Sequence, residues 1–239
     1  MDRNTLGQSA AKKHGKLSIF ASYFPGAGKH CRMLQAGEQA QRSGTDVVIG
    51  TLSCSLWPET GTAASRFETL PGKKMQKDGR TVEELDLDAC LKRHPDLILI
   101  GGDMLVRKDG NSYDGTVRFL EKLPAICPVY CANGNHEQKL KELPDKYEQS
   151  YEGYKKALTA CGIHMLENAS ETVRLDEAPV RISGLEIPLG AYARLGRKDL
   201  PLKEITDRIG EHGEEYQILL AHHPGYIQEY LEYGADMIL

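Results

Sequence analysis

The sequence predicts an α/β fold in which a mainly parallel central sheet is flanked by helices. Short apolar runs with the composition of buried strands alternate with segments of helical spacing. This alternation favours parallel strands joined by crossover helices. Residues from about 163 to 190 depart from the pattern, because short β-like pieces follow one another there with polar turns between them. We therefore expect a mixed or antiparallel portion of the sheet in that part of the chain.

The first half of the chain contains three strand-like runs. Strands are predicted where aliphatic and β-branched residues cluster, at 16–24, 46–52 and 96–101. Helical spacing predicts a helix from residue 29, and it should end at Gly44, because glycine is typical of a helix C-terminus. Two further helices are predicted at 59–70 and 81–94, on either side of a polar turn.

The second half continues the alternation. Helical spacing predicts helices at 112–123, 145–162, 202–209 and 226–234. Apolar runs predict strands at 125–133, 216–223 and 235–239. The order of these elements agrees with parallel pairing outside the stretch from about 163 to 190.

Charge and hydropathy exclude several classes of protein. The formal net charge is −4, so the basic excess of a nucleic-acid-binding protein is absent and no nucleic-acid binding is expected. No apolar run reaches the length of about 18 residues that a membrane span needs. The first residues, MDRNTLGQSAAKKHGK, lack the apolar core of a signal peptide. We expect a cytoplasmic protein without membrane insertion.

A glycine-rich turn, FPGAGKHC, lies between the first predicted strand and the first predicted helix. In this layout backbone N–H groups and a helix N-terminus face a phosphate, and a lysine reaches the outer phosphates. Gly26, Gly28 and Lys29 occupy those places. The full signature, G-x-x-x-x-G-K-[S/T], has a glycine where this chain has Tyr23 and a hydroxyl residue where it has His30. Two interpretations stay open, a nucleotide site that takes ATP and a structural tight turn with a solvated lysine.

Further motifs accompany this turn, namely the strand DVVIG and the segment GRTVEELDLDACLKRHPDLILI before the third strand. With them, residues from about 14 to 100 resemble the N-terminal cytoplasmic domain of the Kdp-type potassium-sensor histidine kinases. The resemblance implies a nucleotide-binding regulatory domain as an alternative function. The chain departs from that family after the third strand, where an Asp-Glu pair gives way to Gly101, Gly102 and Asp103.

Three polar motifs each follow a strand-like run, GGDM at 101–104, GNHE at 134–137 and AHHP at 221–224. Together with YKKALTACGIHMLEN, VRISGLEIP and the segment from ILLAHHP to ADMIL, they make residues from about 95 to 239 resemble the calcineurin-like metallophosphoesterases. The resemblance implies a hydrolase of small phosphoesters that uses divalent metal ions of the Mn, Fe, Zn or Mg type. In such hydrolysis two cations about 3.5–4 Å apart activate water and neutralise the phosphate.

The resemblance also implies roles for individual residues. Asp103 would bridge the two metals, Asn135 would bind the second metal through its side-chain oxygen, and His222 would be a further ligand of that metal. His136 would be the catalytic residue that faces the phosphate, as proton donor or charge stabiliser. From the residues alone, other interpretations stay open, because Asp103 could cap the following turn and Asn135 could hold a left-handed turn. Glu137 is expected to support the loop.

Two motifs of the resembled family are missing. The first, Asp-x-His, would precede PDLILI, where this chain has LSIFASYFPGAGK without an acidic residue. The last, Gly-His-x-His, would follow ADMIL, where the sequence ends at Leu239. We therefore expect an incomplete dinuclear site with at most one weakly bound metal and much reduced phosphatase activity.

The two resemblances meet inside a helix–strand unit near residues 85–97 that both families share. This predicts a chimera of a Kdp-sensor-like P-loop α/β portion at 1–94 and a partial metallophosphoesterase domain at 95–239. Because the shared unit includes a buried parallel strand, the two portions are expected to share one continuous sheet. An inactive fusion is the third function that we keep open.

Overall fold

The computed structural model describes the chain in eleven stretches, residues 29–42, 44, 46–49, 62–77, 79–86, 88–89, 92–105, 112–146, 149–175, 178–192 and 199–239. The predicted strand at 16–24 lies outside the described residues. Two compact units follow each other along the chain, Met1–Asp86 and Leu87–Leu239. The boundary at residues 94 and 95 and the continuous sheet stay predictions.

The first unit contains a helix and a small apolar cluster. Helix α1 spans Lys29–Arg42, close to the bounds that the sequence predicts. Strand β1, Val48–Ile49, pairs in parallel with β2, Glu68–Thr69. Leu34, Ile49 and Phe67 are the buried residues between these elements.

The helices predicted at 59–70 and 81–94 are wrong over much of their length. Among the described residues of the first range, only 62–64 are helical. In the second range, strand β4, Arg80–Leu85, pairs antiparallel with β3, Gly72–Lys77. The Asp-Gly pair that joins the two strands is a hairpin signal, and Gly79 has the positive φ of +73° that such turns require. The segment that we interpreted as a polar turn is therefore half of a hairpin.

The second unit contains two sheets. In the first sheet β5 (Ile98–Ile100), β6 (Val129–Cys131) and β7 (Ile163–Met165) are parallel and stand in the order β5-β6-β7. In the second sheet the order is β11-β10-β9-β8, with bounds Met237–Ile238, Tyr216–Leu220, Ala178–Gly184 and Ala169–Leu175. Strands β9, β10 and β11 are parallel, whereas β8 and β9 are antiparallel. This confirms the predicted fold class, including the mixed portion between about 163 and 190.

Besides the helical residues 88–89, five helices belong to this unit, as far as the structure describes it. They are α2 (Asp114–Leu120), α3 (Asn135–Glu142), α4 (Tyr151–Ala160), α5 (Leu202–Ile209) and α6 (Ile227–Tyr233). The hydroxyl oxygen of Ser150 accepts a hydrogen bond from the N–H of Gly153 and so fixes the start of α4 inside the longer helix predicted at 145–162. None of the described helices has the length and apolar character that crossing a bilayer requires.

Side-chain alternation shows that the two sheets face each other. Tyr130 and Ala132 of the first sheet share an apolar cluster with Ile182 and Leu220 of the second. The alternate residues of β6, such as Val129, belong to a different cluster with α2 and α4. The alternate residues of β10 pack against α5 and α6 in a third cluster. The unit therefore has four layers, helices, sheet, sheet and helices, and the parallel strands are divided between two sheets.

Candidate metal centre

The three polar motifs of the sequence come together at the carboxyl ends of strands from both sheets. Asp103 follows β5, Asn135 opens α3 directly after β6, and His222 follows β10. Nε2 of His222 lies 3.2 Å from Oδ2 of Asp103. The backbone N–H of His136 donates to Oδ1 of the same carboxylate at 3.0 Å. Two of the three predicted ligands are thus in direct contact, and the third, Asn135, directly precedes His136 in the chain.

Close packing of the first two loops explains the glycines in both motifs. Gly102 has a φ of +98° and Asp103 one of +56°, so the chain turns through the left-handed region after β5. A Cβ atom on Gly102 would lie within 3.0 Å of the backbone of Gly134. A Cβ atom on Gly134 would in turn lie within 3.0 Å of Asp103. Side chains at these two glycines would separate Asp103 from the start of α3.

Glu137 fastens the same two loops together. Its carboxylate accepts hydrogen bonds from the N–H groups of Asp103, Leu105 and Gly134, each at 2.9 Å. The side chain is only 2% exposed, so these bonds replace the water that the carboxylate loses on folding. This confirms the expectation that Glu137 supports the loop. It also places Glu137 at the third position of α3, where it caps the helix N-terminus.

The ring of His222 has a defined orientation. Its Nδ1 lies 2.9 Å from the carbonyl oxygen of Gly101, which can only accept, so Nδ1 carries the hydrogen and donates. Nε2 is therefore the nitrogen that faces Asp103. Burial would lower the pKa of His222, but the hydrogen bond to Asp103 and that to Gly101 outweigh it and raise the pKa above its usual range.

Asp103 is held in its charged form. Burial would raise the pKa of its carboxyl, but the hydrogen bonds from His222 and from the backbone of His136 together hold the pKa below its usual range. The N-terminus of α3 adds a favourable field for a negative charge at this place. The carboxylate therefore acts as an acceptor toward a hydrogen-bond donor or a cation.

The Asp103–His222 pair supplies two donors for one divalent cation. A carboxylate and an imidazole nitrogen are donors that Mn, Fe and Zn accept, and a catalytic zinc site takes three protein ligands. Across the described residues, no group of three or more His, Cys, Asp or Glu side chains is placed to hold a metal ion. Any metal bound at Asp103 and His222 would therefore depend on Asn135 as third ligand. A second metal has no comparable set in the part of the chain that the structure describes.

Tyr192 lies next to the site, and the sequence did not predict it there. It ends a short 3-10 helix, Leu189–Tyr192, after β9, and its ring centroid lies 6.5 Å from that of His222 and 5.0 Å from that of His223. Burial and then the charge of Asp103 raise the pKa of its hydroxyl. No motif marks this tyrosine in the sequence, because its place depends on the turn of the loop and not on a spacing.

His223 has a local structural contact. Its Nδ1 accepts a hydrogen bond from the N–H of Gly225 at 3.0 Å and caps the short 3-10 helix Pro224–Tyr226. The neighbouring histidines of the AHHP motif therefore point to different partners, His222 to Asp103 and His223 to the following turn.

A second polar cluster lies at the same edge of the unit. The side chain of Asn133 is 2% exposed, and its Nδ2 donates to the hydroxyl of Tyr151 at 2.5 Å and to Oε1 of Glu186 at 2.7 Å. Nζ of Lys141 lies 2.5 Å from Glu167 and 2.9 Å from Glu186. The sequence gives no sign of this cluster, because its members come from α3, α4 and the segments that follow β6, β7 and β9.

Of the candidate nucleotide-binding residues, only the backbone of Lys29 belongs to the described part of the chain. Gly26 and Gly28 lie outside the described residues, as does the side chain of Lys29. Lys29 is the first residue of α1, so a helix does begin directly after the glycine-rich turn. Their role in binding ATP stays a prediction.

A four-layered α/β unit with Asp, Asn and His side chains at its strand ends agrees with one family of hydrolases. The family model for calcineurin-like phosphoesterases matches residues 79–239. Because the match covers more than half of the chain, the protein belongs to the calcineurin-like phosphoesterase family. The model for the osmosensitive K+ channel His kinase sensor domain matches residues 13–117. The two matches overlap at residues 79–117.

Curated relatives resemble the first part of the chain. A Synechocystis protein named as a KdpD sensor protein is 40% identical over 96 residues, which is 40% of this chain and 26% of the relative. The sensor protein KdpD of Escherichia coli is 36% identical over 95 residues, 40% of this chain and 11% of the relative. That of Clostridium acetobutylicum is 31% identical over 136 residues, 55% of this chain and 15% of the relative. The matched region therefore spans about a quarter or less of each of these relatives.

Proposed function

We propose that the protein is a metal-dependent phosphoesterase-family hydrolase with an incomplete dinuclear site, in which one divalent cation is held by Asp103, Asn135 and His222. The observation that carries the proposal is the direct contact of Asp103 with Nε2 of His222, whose Nδ1 is tied to the Gly101 carbonyl. An Nδ1–H bonded to a carbonyl is the arrangement that orients a histidine as a metal ligand through Nε2.

The protein's own groups have separable tasks in this proposal. A bound divalent cation would neutralise phosphate charge and lower the pKa of water. Asp103 and His222 would orient the cation, and the ring of His136, on the first turn of α3, would donate a proton to the leaving oxygen. The N-terminus of α3 would attract the phosphate of a small phosphoester substrate. Tyr192 would form an aromatic wall next to His222.

Metal binding tests the proposal most directly. We expect Mn²⁺ to bind the wild-type protein in calorimetric titration with a stoichiometry of one. Asp103→Ala and Asn135→Ala should each weaken binding by more than about 100-fold, which exceeds the usual effect of losing an outer-shell partner. Asp96→Ala, at the exposed opposite end of β5, is the matched control and should bind as the wild type does. Equal affinity in Asp103→Ala and the wild type would contradict the assignment.

Activity tests the incompleteness of the site. We expect hydrolysis of an aryl phosphate in the presence of Mn²⁺ to be far slower than the roughly 1–10³ s⁻¹ of typical enzymes. A rate within that range that disappears in Asp103→Ala would show that the site is complete. In that case a second metal would need ligands that the described residues do not supply.

A nucleotide-binding regulatory domain of the Kdp type is the second candidate function. It is favoured by the sensor-domain match at residues 13–117 and by the KdpD relatives. ATP at a concentration of 100 times its Kd should then raise the free energy of unfolding by about 2.7 kcal/mol, which thermal unfolding would show as a higher melting temperature. Lys29→Ala should remove the effect, whereas Lys73→Ala in β3 should keep it. The overlap of the two family matches supports a chimera. If the protein neither binds Mn²⁺ nor is stabilised by ATP, the inactive fusion is the remaining hypothesis.

A further inference from the structure

We propose that Glu186 is a positioning residue for the metal-binding loop, acting through Asn133 and Lys141. This inference rests on the proposed function, because it concerns how the loop that carries Asn135 and His136 is placed relative to His222. The loop and His222 belong to different sheets, so their separation depends on contacts between the two sheets.

Asn133 is the residue through which the loop is held. It precedes Gly134 and the start of α3, and its side chain is almost fully buried. Its Nδ2 donates two hydrogen bonds, to Tyr151 and to Glu186, while its Oδ1 accepts none from the described residues. A buried acceptor without a partner is unfavourable. The amide therefore contributes through its two donated bonds, which fix the end of β6.

Glu186 is itself firmly fixed. It follows β9 and is only 6% exposed. Its backbone N–H donates to Oδ1 of Asn168 at 2.9 Å, and its carbonyl accepts from Nη1 of Arg208 at 2.9 Å. With both backbone groups bonded, the carboxylate has a defined position above the end of β9.

The same carboxylate holds the metal-binding loop at two points. Oε1 accepts from Asn133 just before α3, and Oε2 lies 2.9 Å from Nζ of Lys141 in the last turns of α3. Strand β9 is the direct neighbour of β10, which ends two residues before His222. Glu186 thus connects the sheet that carries His222 with both ends of the helix that begins at Asn135.

Glu167 provides a matched control within the same cluster. It follows β7, in the same sheet as β6, and it pairs with Lys141 and Lys155 at 2.5 and 2.7 Å. Both N–H bonds of Asn133 go to other partners. Removing either glutamate therefore takes one acid from Lys141. Removing Glu167 also takes a hydrogen-bond partner from Tyr151, one step from Asn133. Only removal of Glu186 takes a direct partner from Asn133 and breaks the connection to the second sheet.

Amide hydrogen exchange of the metal-free protein tests the inference without any metal. We expect the N–H groups of Gly134 and His136 to exchange about tenfold faster in Glu186→Ala and less than about twofold faster in Glu167→Ala. Glu186→Gln should restore much of the protection, because its amide oxygen still accepts from Asn133. Melting temperatures of both alanine variants report the loss of global stability and separate it from local opening.

Mn²⁺ affinity is the second measurement. Glu186→Ala should weaken binding by about 10–100-fold, the usual effect of an outer-shell partner, while Glu167→Ala should change it less than about threefold. If the wild type binds no Mn²⁺, the proposed function fails, and hydrogen exchange alone decides the positioning role. Equal exchange rates in the two alanine variants, or no recovery in Glu186→Gln, would overturn the positioning role and leave Glu186 with a purely structural contact.

Discussion

Two acid–base clusters lie at the same edge of the second unit, and they differ in what their charges can do. In the first, Asp103 and His222 meet as a single pair, and their side chains are 31% and 24% exposed. In the second, two lysines surround Glu167 and Glu186, whose side chains are 14% and 7% exposed. In this accessible pair a cation could replace the proton that Nε2 of His222 shares with Asp103 and take both as ligands. The carboxylates of the second cluster are already neutralised by lysines, so they stabilise the fold and are not free to bind a cation.

The largest expected effects differ in kind, because the first cluster should determine metal affinity and the second should determine the stability of the fold. Asp103→Ala should weaken Mn²⁺ binding, measured by calorimetric titration, by about 100-fold or more while the protein stays folded. Lys141→Ala should instead lower the free energy of unfolding by about 3 kcal/mol, because it leaves the buried carboxylate of Glu186 and the half-buried one of Glu167 without their shared cation. Urea unfolding measures the second effect, and Lys203→Ala, which removes an exposed pair with Asp207, should cost less than about 0.5 kcal/mol. Similar losses in both lysine variants would show that the second cluster does not fasten the fold.

A second prediction concerns the carboxylate beneath the first cluster. Glu137→Gln would turn an amide N–H toward one of the backbone N–H groups that Glu137 now accepts from. We expect a loss of about 2–3 kcal/mol in the free energy of unfolding, measured in urea, and weaker Mn²⁺ binding because Asp103 loses its support. Glu121→Gln, at the exposed end of α2, is the control. Unchanged stability in Glu137→Gln would show that the hydrogen bonds accepted by Glu137 do not stabilise the two loops.

The third prediction uses pH to sharpen the difference between the clusters. Burial would raise the pKa of Glu167, but Lys141, Lys155 and Tyr151 outweigh it and lower the pKa. Its stabilising contribution is therefore complete above the unfolded value of about 4.3 and is lost as the pH falls through the lower folded value. The wild type should therefore be more stable than Glu167→Ala at pH 7, and the difference should shrink as the pH falls toward pH 3. A difference that is constant between pH 7 and pH 3 would contradict this account.

The smallest effect distinguishes the adjacent histidines. His223→Ala removes the cap of a short 3-10 helix and should cost about 0.5–1 kcal/mol of stability, with less than about threefold change in Mn²⁺ affinity. His222→Ala should lose Mn²⁺ binding as Asp103→Ala does. Calorimetric titration of the two variants side by side checks this, and a reversed order of affinities would exchange the roles of the histidines.

The sequence predicted the contact of Asp103 with His222 more reliably than it predicted the elements around it. Both residues follow strongly apolar runs, and the carboxyl ends of parallel strands converge, so their proximity needed no knowledge of the loops. The hairpin at 72–85 was missed because its strands are short and polar, and the Asp-Gly turn was interpreted as a turn between helices.

The second cluster lay beyond what the sequence could predict. Asn133, Lys141 and Glu186 meet only because two sheets pack face to face, whereas the alternation of strands and helices is equally compatible with one central sheet. The fold class was within reach of pattern and resemblance. The division of its strands between two sheets, and with it the support of the candidate site, depends on three-dimensional packing that no spacing records.

The glycines of the first two loops also define which sequences could carry such a site. A Cβ atom on Gly101 would lie 3.9 Å from its nearest neighbour, the carbonyl carbon of Leu239, which is ordinary contact. Its contribution to His222 is a main-chain carbonyl, which every residue type possesses. Gly102 and Gly134, by contrast, have no room for a side chain. Variation among natural homologues should therefore be free at position 101 and absent at positions 102 and 134, so a motif written with two consecutive glycines would overlook true members.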